Sequence, residues 1–278
     1  MKSKQQEWSK QEITFVLNKH KAGYSRYEIT KLFTKHFIKD SITRTPDSIK
    51  HCIDSHGQHI ERDLPKVLVL DLETRPIQAY VWGTFDQNIP LNMIIEDGSI
   101  LSWSAKWLGD PDSKIMYGDM RGKEKNLSND KAMLLPLWKL LNECDIALGQ
   151  NSDSFDLKKL NARFIEHELD APSQFKTIDT LKIARRYFGF LSNKLEHLSK
   201  KLNKKHTKSS HKKFSGFELW AECMKGNKAA WKELEEYNKL DVLSTEEVFV
   251  NMAKYVKNNA NVAAAMRTYN QKKSSKNK

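Results

Sequence analysis

Asp71 and Glu73 close an unbroken apolar run, Val67-Leu68-Val69-Leu70. A run of this kind reads as a strand buried on both faces. Strand alternation puts Asp71 and Glu73 on one face and Leu72 on the other. Two neighbouring carboxylates repel, and a divalent cation between them relieves the repulsion. The same pair also fits a solvated turn after Leu70, so this stretch alone does not decide. Asp156 ends the stretch Gly149-Gln150-Asn151-Ser152-Asp153-Ser154-Phe155-Asp156, which joins a strand end to a helix start. Open α/β sheets place ligands at such junctions, and a carboxylate in the first helical turn faces the positive helix end. Acids also take that position for purely structural reasons. Tyr237 and Asp241 are four residues apart in a helix expected over 227–257, so they share a face. Val248 and Met252 lie near that face, so it packs inward, and a charge there needs a partner.

The elements that must carry these residues follow from periodicity. Strands are expected at the 67–74 run, at 99–108, 114–118, 145–149 and 175–178. Residues 75–98 carry two prolines and little periodicity, and read as irregular. Helices are expected over 128–143 and 154–168, with Pro136 either bending the first or marking a late start. Further helices fill most of the remainder. Three strands, then alternating helix and strand, then a helical tail indicate an α/β layer fold.

Upstream, residues 8–56 read as three short helices. Ser9 with Glu12, and Ser25 with Glu28, stand at capping-box spacing. Ile13, Val16 and Leu17, then Ile29, Leu32 and Phe33, then Ile49 and Ile53, form inward stripes. Gly23 breaks the first helix from the second, and Thr45-Pro46 opens the third. Arg44, Lys50 and His51 give this third helix a basic character, as in helix-turn-helix DNA readers. The domain plan is therefore 1–60 as a three-helix nucleic-acid-binding unit, 61–66 as a polar linker, 67–257 as the α/β domain and 258–278 as a basic, flexible tail.

The 278 residues carry a formal net charge of +12, unevenly spread. Residues 1–66 contribute +5, 194–213 contribute +7 and 254–278 contribute +7, leaving −7 for the rest. An acidic centre bordered by basic segments suits a polyanion led to a site that holds cations. No apolar run is long enough to span a membrane, and the N-terminal MKSKQQEWSKQE lacks the apolar region of a secretory signal. Cys52, Cys144 and Cys223 lie far apart without a C-x-x-C pair, which fits a reducing cytoplasm.

Taken together the motifs resemble a known family. Asp71-x-Glu73, then Asn151-x-x-x-Phe155-Asp156, then Tyr237-x-x-x-Asp241 resemble, in order, the three motifs of the DEDD 3′–5′ exonucleases in their tyrosine variant, which share a ribonuclease-H-like fold with polymerase proofreading domains. Thr177-Ile178-Asp179-Thr180-Leu181-x-x-x-Arg185 and the stretch from Trp231 to Val242 are similar to a bacterial and phage branch of stand-alone enzymes. The resemblance covers about residues 66–255. Trp8, Gly23-Tyr24-Ser25 with Glu28-Ile29, and Arg44 through Lys50 resemble a Myb/SANT-type repeat. Asp153 also falls within the second motif, where the Phe-Asp pairing favours Asp156.

The resemblance implies a ribonuclease-H-like mixed sheet flanked by helices, preceded by the three-helix unit. It implies two ions, Mg²⁺ or Mn²⁺, held by Asp71, Glu73, Asp156 and Asp241, with Tyr237 orienting the attacking water. It implies release of nucleoside 5′-monophosphates from single-stranded nucleic acid, with DNA favoured. A separate DNA polymerase or a replication or repair protein is a further partner in that picture. Asn151, Phe155, Arg44 and Lys50 are the expected nucleic-acid contacts. Lys204, Lys205, Lys212 and Lys213, in the basic stretch with His197, His206 and His211, are expected along the strand's phosphates. The competing classes are a non-catalytic DNA-binding protein on an exonuclease-like fold, a ribonuclease, and a polymerase-associated proofreading subunit.

Overall fold

A computed structural model describes residues 7–21, 24–37, 42–56, 64–207 and 213–275. The chain divides into two compact units, Met1–Leu64 and Pro65–Lys278. Gly23, His211 and Lys212 lie outside the described residues, as does half of the expected 61–66 linker.

The first unit consists of α1 (Lys10–Lys21), α2 (Arg26–His36) and α3 (Pro46–His56). Of the expected stripes Val16, Ile29, Phe33 and Ile49 are buried together, joined by Phe37 and Cys52, with Ile13 and Ile53 packed against them. Both capping boxes form. Ser25 Oγ accepts from the Glu28 N–H and Glu28 accepts from the Ser25 N–H at 2.8 Å, and Ser9 with Glu12 repeats the arrangement. The Arg44 side chain, expected at nucleic acid, is held inside this unit. Its guanidinium is 7% exposed, pairs with the buried Glu12 at 2.9 Å and lies 4.1 Å from the Trp8 ring centre. It is a structural clamp between the N-terminal turn and the start of α3. Arg44→Ala strands the Glu12 carboxylate, and breaking such a buried pair costs about 3–5 kcal/mol. Amide hydrogen exchange should lose its protection across residues 10–56 and keep it in the second unit. Lys50, by contrast, is exposed on α3.

The second unit is built on β1 (Val67–Thr74), which the four-residue apolar run fixes at the centre of a five-stranded sheet. Two short strands, β2 (Gln78–Ala79) and β3 (Ile94–Glu96), pair only with each other. β4 (Ile100–Trp107) lies antiparallel to β1, and β5 (Met116–Asp119) antiparallel to β4. α4 (Lys131–Glu143) runs through Pro136, so the proline marks no late start. β6 (Ile146–Gly149) then pairs parallel with β1, and after α5 (Asp156–Glu166), β7 (Lys176–Asp179) pairs parallel with β6. The sheet order is β5-β4-β1-β6-β7.

Helices α6 (Thr180–Tyr187), α7 (Leu195–Leu202), α8 (Glu218–Met224), α9 (Lys228–Ala253) and α10 (Ala260–Ser274) follow. β1 feeds two cores because its side chains alternate. Leu68, Leu70 and Leu72 pack with residues of α4, α5 and the start of α9. Val67 and Val69 pack on the other face with Val242, Val248 and Phe249 of α9. Asp71 and Glu73 belong to this second face. Residues 258–278 were expected as a flexible tail, but Ala260–Ser274 is a helix. Val262 and Ala265 are buried in the second core, and Thr268 Oγ1 donates to the Pro65 carbonyl at 2.9 Å. Among the described residues no helix is long and apolar enough to cross a membrane. Cys52, Cys144 and Cys223 are buried and form no disulfide.

Candidate metal and active site

The site grows out of the place where β1 outruns β6. β6 pairs with β1 only through Val67, Val69 and the residue between them, so the β1 backbone beyond is open on that side. Asp156 uses the opening: its Oδ1 accepts the Leu72 N–H at 3.0 Å. Gly149 permits the approach. A Cβ there would sit 2.6 Å from Ser152 Cβ and 3.2 Å from the Leu70 carbonyl, so the loop after β6 could not fold down onto β1.

On the face of β1 that meets α9, Asp71, Glu73 and Asp241 each bring one carboxylate oxygen within 4.8 Å of the others. Asp241 is 3% exposed and Glu73 9%. Asn238, one helical turn before Asp241 and fully buried, sets the Asp71 carboxylate. Its Nδ2 donates to Asp71 Oδ2 at 2.7 Å, while its Oδ1 accepts from Ser102 Oγ at 3.3 Å. Asn238→Ala removes the donor and unseats one oxygen of the cluster. Loss of such an orienting bond is expected to lower a metal-dependent rate by about 10–100-fold and raise the Mg²⁺ concentration needed for half-activation. A Mg²⁺ titration of the rate in wild type and variant would show it.

Asp156 is 3% exposed, and its carboxyl is pushed up to about 7. Burial is the main cause, opposed by the backbone N–H groups it accepts from, and the nearby Asp179 and Asp241 carboxylates push the same way as burial. Four carboxyl groups thus gather here. Their donors are hard oxygens, and the three clustered oxygens leave room for the waters that Mg²⁺ retains. The residues present therefore fit a divalent cation.

The loop carrying the second motif is held from β7. Asp179 Oδ1 accepts the Asn151 N–H at 2.9 Å and also caps α6 through the Leu181 N–H at 2.9 Å. Its Oδ2 accepts the Asp153 N–H at 3.3 Å. Asn151 adopts a left-handed conformation, φ 61°. Asp153 forms an ion pair with Lys182 at 2.7 Å. A cleft of about 710 Å³ opens beside the acids, lined among others by Asp71, Asn151, Arg185, Lys194, Tyr237 and Asp241. The Tyr237 ring meets Trp220 edge-on, 6.3 Å between centres.

The structure brings together Asp71, Glu73, Asp156, Tyr237, Asp241 and Asn151. Phe155 is 39% exposed at the start of α5 but does not line the cleft. Lys204 and Lys205 are exposed in the segment that follows α7. Their N–H groups and that of His206 converge on the Glu247 carboxylate, and the Lys205 ammonium pairs with Asp112. These backbone bonds fasten the segment after α7 to α9, and of the two ammonium groups the Lys205 one is paired with an acid. The Lys213 N–H donates to Glu233 at 3.1 Å, and its ammonium lies over the Phe214 ring. Sequence reasoning had Asn238, Asp179 and Arg185 only as marks of a resemblance, and gave Lys194 no role. The one local signal for Asp179 was its position at a strand end before a helix.

A sequence model of the RNase H superfamily matches residues 112–253, just over half the chain. The chain belongs to the RNase H superfamily, and its larger unit is nuclease-like. The match includes Asp156, Tyr237 and Asp241 and begins after β1, so Asp71 and Glu73 fall outside it. No curated protein matches. Among solved structures the chain is similar to a family B DNA polymerase from the hyperthermophilic archaeon Pyrobaculum calidifontis. The identity is 15%, the TM-score 0.48, and the alignment covers 72% of this chain and 27% of the polymerase chain.

Proposed function

We propose that the protein is a metal-dependent 3′–5′ exonuclease that releases nucleoside 5′-monophosphates from single-stranded nucleic acid, with DNA favoured. The observation that carries this reading is the convergence of Asp71, Glu73 and Asp241 oxygens within 4.8 Å, beside Asp156 and an open cleft, in a chain of the RNase H superfamily. Asp71, Glu73, Asp156 and Asp241 would hold two divalent ions, Mg²⁺ or Mn²⁺. Bound there, the ions supply Lewis-acid polarisation of the phosphoryl group and a strong nucleophile at neutral pH.

The chain's own residues do the rest. Asn238 fixes the Asp71 carboxylate through the 2.7 Å bond. Tyr237 lines the cleft with Asp71 and Asp241, and its phenol orients the attacking water by a hydrogen bond. A phenol suits positioning better than proton removal at neutral pH. Arg185 and Lys194, on the same cleft wall, offset the phosphate charge of the strand. The N-terminal helical unit, with Lys50 exposed on its third helix, supplies a second nucleic-acid contact, which tilts the substrate toward DNA.

The test is digestion of a 5′-labelled single strand, DNA and RNA in parallel, with Mg²⁺, Mn²⁺ or EDTA. The expected result is a metal-dependent ladder that shortens from the 3′ end, stronger on DNA. Binding without cleavage under every metal would instead make this a nucleic-acid-binding protein on a nuclease fold.

A further inference from the structure

The segment joining β1 to β4 exposes more apolar surface than a folded protein ordinarily leaves in water. Tyr80 is 71% exposed, Trp82 94%, Phe85 86% and Leu91 90%. Ile77, Val81 and Ile95 are each about half exposed. Single exposed apolar residues are common, but a concentration like this one marks a binding surface.

The root of the segment is firmly built. β2 pairs with β3, and the Tyr80 N–H donates to the Met93 carbonyl at 2.9 Å. Arg75, 4% exposed, pairs with Glu96 at 2.6 Å and donates to the Asp97 carbonyl and to Ser128 Oγ. The aromatic side chains therefore project from an anchored hairpin.

Charge decides what such a surface holds. Residues 76–98 contain Asp86, Glu96 and Asp97 and no Lys or Arg, so the hairpin alone would repel a polyanion. The segment bonded to its root supplies the cations that the hairpin lacks. Ser128 donates to Glu96, and Ser99 Oγ donates to the Leu127 carbonyl at 2.7 Å. This neighbouring segment, 120–131, carries four Lys/Arg against two acids, with Lys123 and Lys125 exposed. Exposed aromatic faces with exposed cations on an adjoining segment are the composition of single-strand platforms.

Place fixes the role. Arg75 lies two residues beyond Glu73 and Tyr80 seven, so Tyr80 is at most about 25 Å from the carboxylate cluster along the chain. A strand several nucleotides long spans that distance. We propose that the hairpin is a base-stacking platform for single-stranded nucleic acid. Tyr80, Trp82 and Phe85 stack on bases while Lys123 and Lys125 meet phosphates, so that longer strands are gripped upstream of the end being removed. The link to turnover rests on the exonuclease reading; the binding itself does not.

The experiment measures affinity for oligothymidylates of 4 and 20 nucleotides in EDTA, where no cleavage occurs. Wild type should bind the 20-mer far more tightly than the 4-mer, with quenching of tryptophan fluorescence. Trp82→Leu with Phe85→Leu keeps apolar bulk but removes the stacking faces, and should weaken the 20-mer on the order of 30-fold. Trp82→Phe with Phe85→Tyr should restore most of the loss. Independently, Lys123→Gln with Lys125→Gln should reduce the slope of log affinity against log salt by about 1.4. Unchanged 20-mer affinity in the leucine variant, equal affinity in the leucine and aromatic variants, or an unchanged salt slope overturns the proposal and leaves the hairpin as a protein-docking surface. Binding in EDTA also separates the two readings. Aromatic-dependent binding without cleavage would spare the platform and sink the exonuclease, and cleavage without aromatic dependence would do the reverse.

Discussion

Asp71→Asn is expected to lower metal-dependent cleavage at least about 10³-fold and, in the same protein, to raise the melting temperature measured in EDTA. Both follow from one geometry. Asp71 shares its face of β1 with Glu73 and lies within 4.8 Å, oxygen to oxygen, of Glu73 and Asp241. An amide is isosteric and can still accept the Asn238 hydrogen bond that now reaches Asp71 Oδ2. What it cannot supply is the negative charge that balances a divalent cation and, through it, the transition-state phosphoryl charge. Losing one such electrostatic support typically costs 10²–10³-fold, and losing the cation itself costs more. Removing one of several crowded like charges relieves repulsion that the metal-free fold must bear. Sites whose residues are chosen for chemistry commonly gain stability when disarmed in this way. The measurements are single-turnover cleavage rates at saturating Mg²⁺ and thermal unfolding in EDTA. A rate within tenfold of wild type would show that the cluster is not where the chemistry occurs. A lower melting temperature would show that Asp71 serves the fold and not a cation.

The acids were legible in the sequence because strand and helix periodicities are strict. Alternation along the Val67–Leu70 run requires Asp71 and Glu73 to share a face, and four-residue spacing requires Tyr237 and Asp241 to do so. The structure brings both pairs to the same side of the sheet. Other parts were hidden for identifiable reasons. β2 is two residues long and β3 three, too short for any period, so the hairpin read as irregular coil. α10 buries Val262, Ala265 and Thr268, a narrow stripe of small side chains inside a lysine-rich segment, and composition outweighed it. Arg44 looked like a phosphate contact because sequence shows its charge and not the Glu12 carboxylate 32 positions away. The Lys205–Asp112 pair was hidden in the same way, since Asp112 is remote in the chain. Asn238 is uncharged and sits between two more conspicuous residues. Its importance lies in the 2.7 Å contact across to β1, which no spacing rule encodes.

The buried Asp156 makes stability, pH and metal interdependent. Its carboxyl is pushed up to about 7 in the folded protein, first by burial and then by Asp179 and Asp241, against an opposing contribution from backbone N–H groups. In the unfolded chain an aspartate titrates near 3.9. The folded form therefore holds the proton more tightly, and the resulting stability is fully present below about pH 4 and lost as pH rises through about 7. Three pH units at 1.36 kcal/mol each set a ceiling of about 4 kcal/mol on the loss, or roughly 8–16 °C at 2–4 °C per kcal/mol. In EDTA the melting temperature should fall between pH 5 and pH 8 by a measurable part of that range. Asp156→Asn cannot ionise, so it should flatten the slope and melt higher than wild type at pH 8. Added Mg²⁺ compensates the ionised carboxylate, so its stabilising effect on wild type should grow across the same interval and shrink in the variant. Cleavage by wild type should rise through pH 7 as Asp156 becomes able to support a cation. Thermal unfolding at four pH values, with EDTA or Mg²⁺ and with both proteins, reads all of these at once. The difference between the two proteins isolates Asp156 from every other titrating group. Parallel slopes in EDTA would mean that Asp156 is ionised throughout, and that the cluster tolerates its charge without a cation.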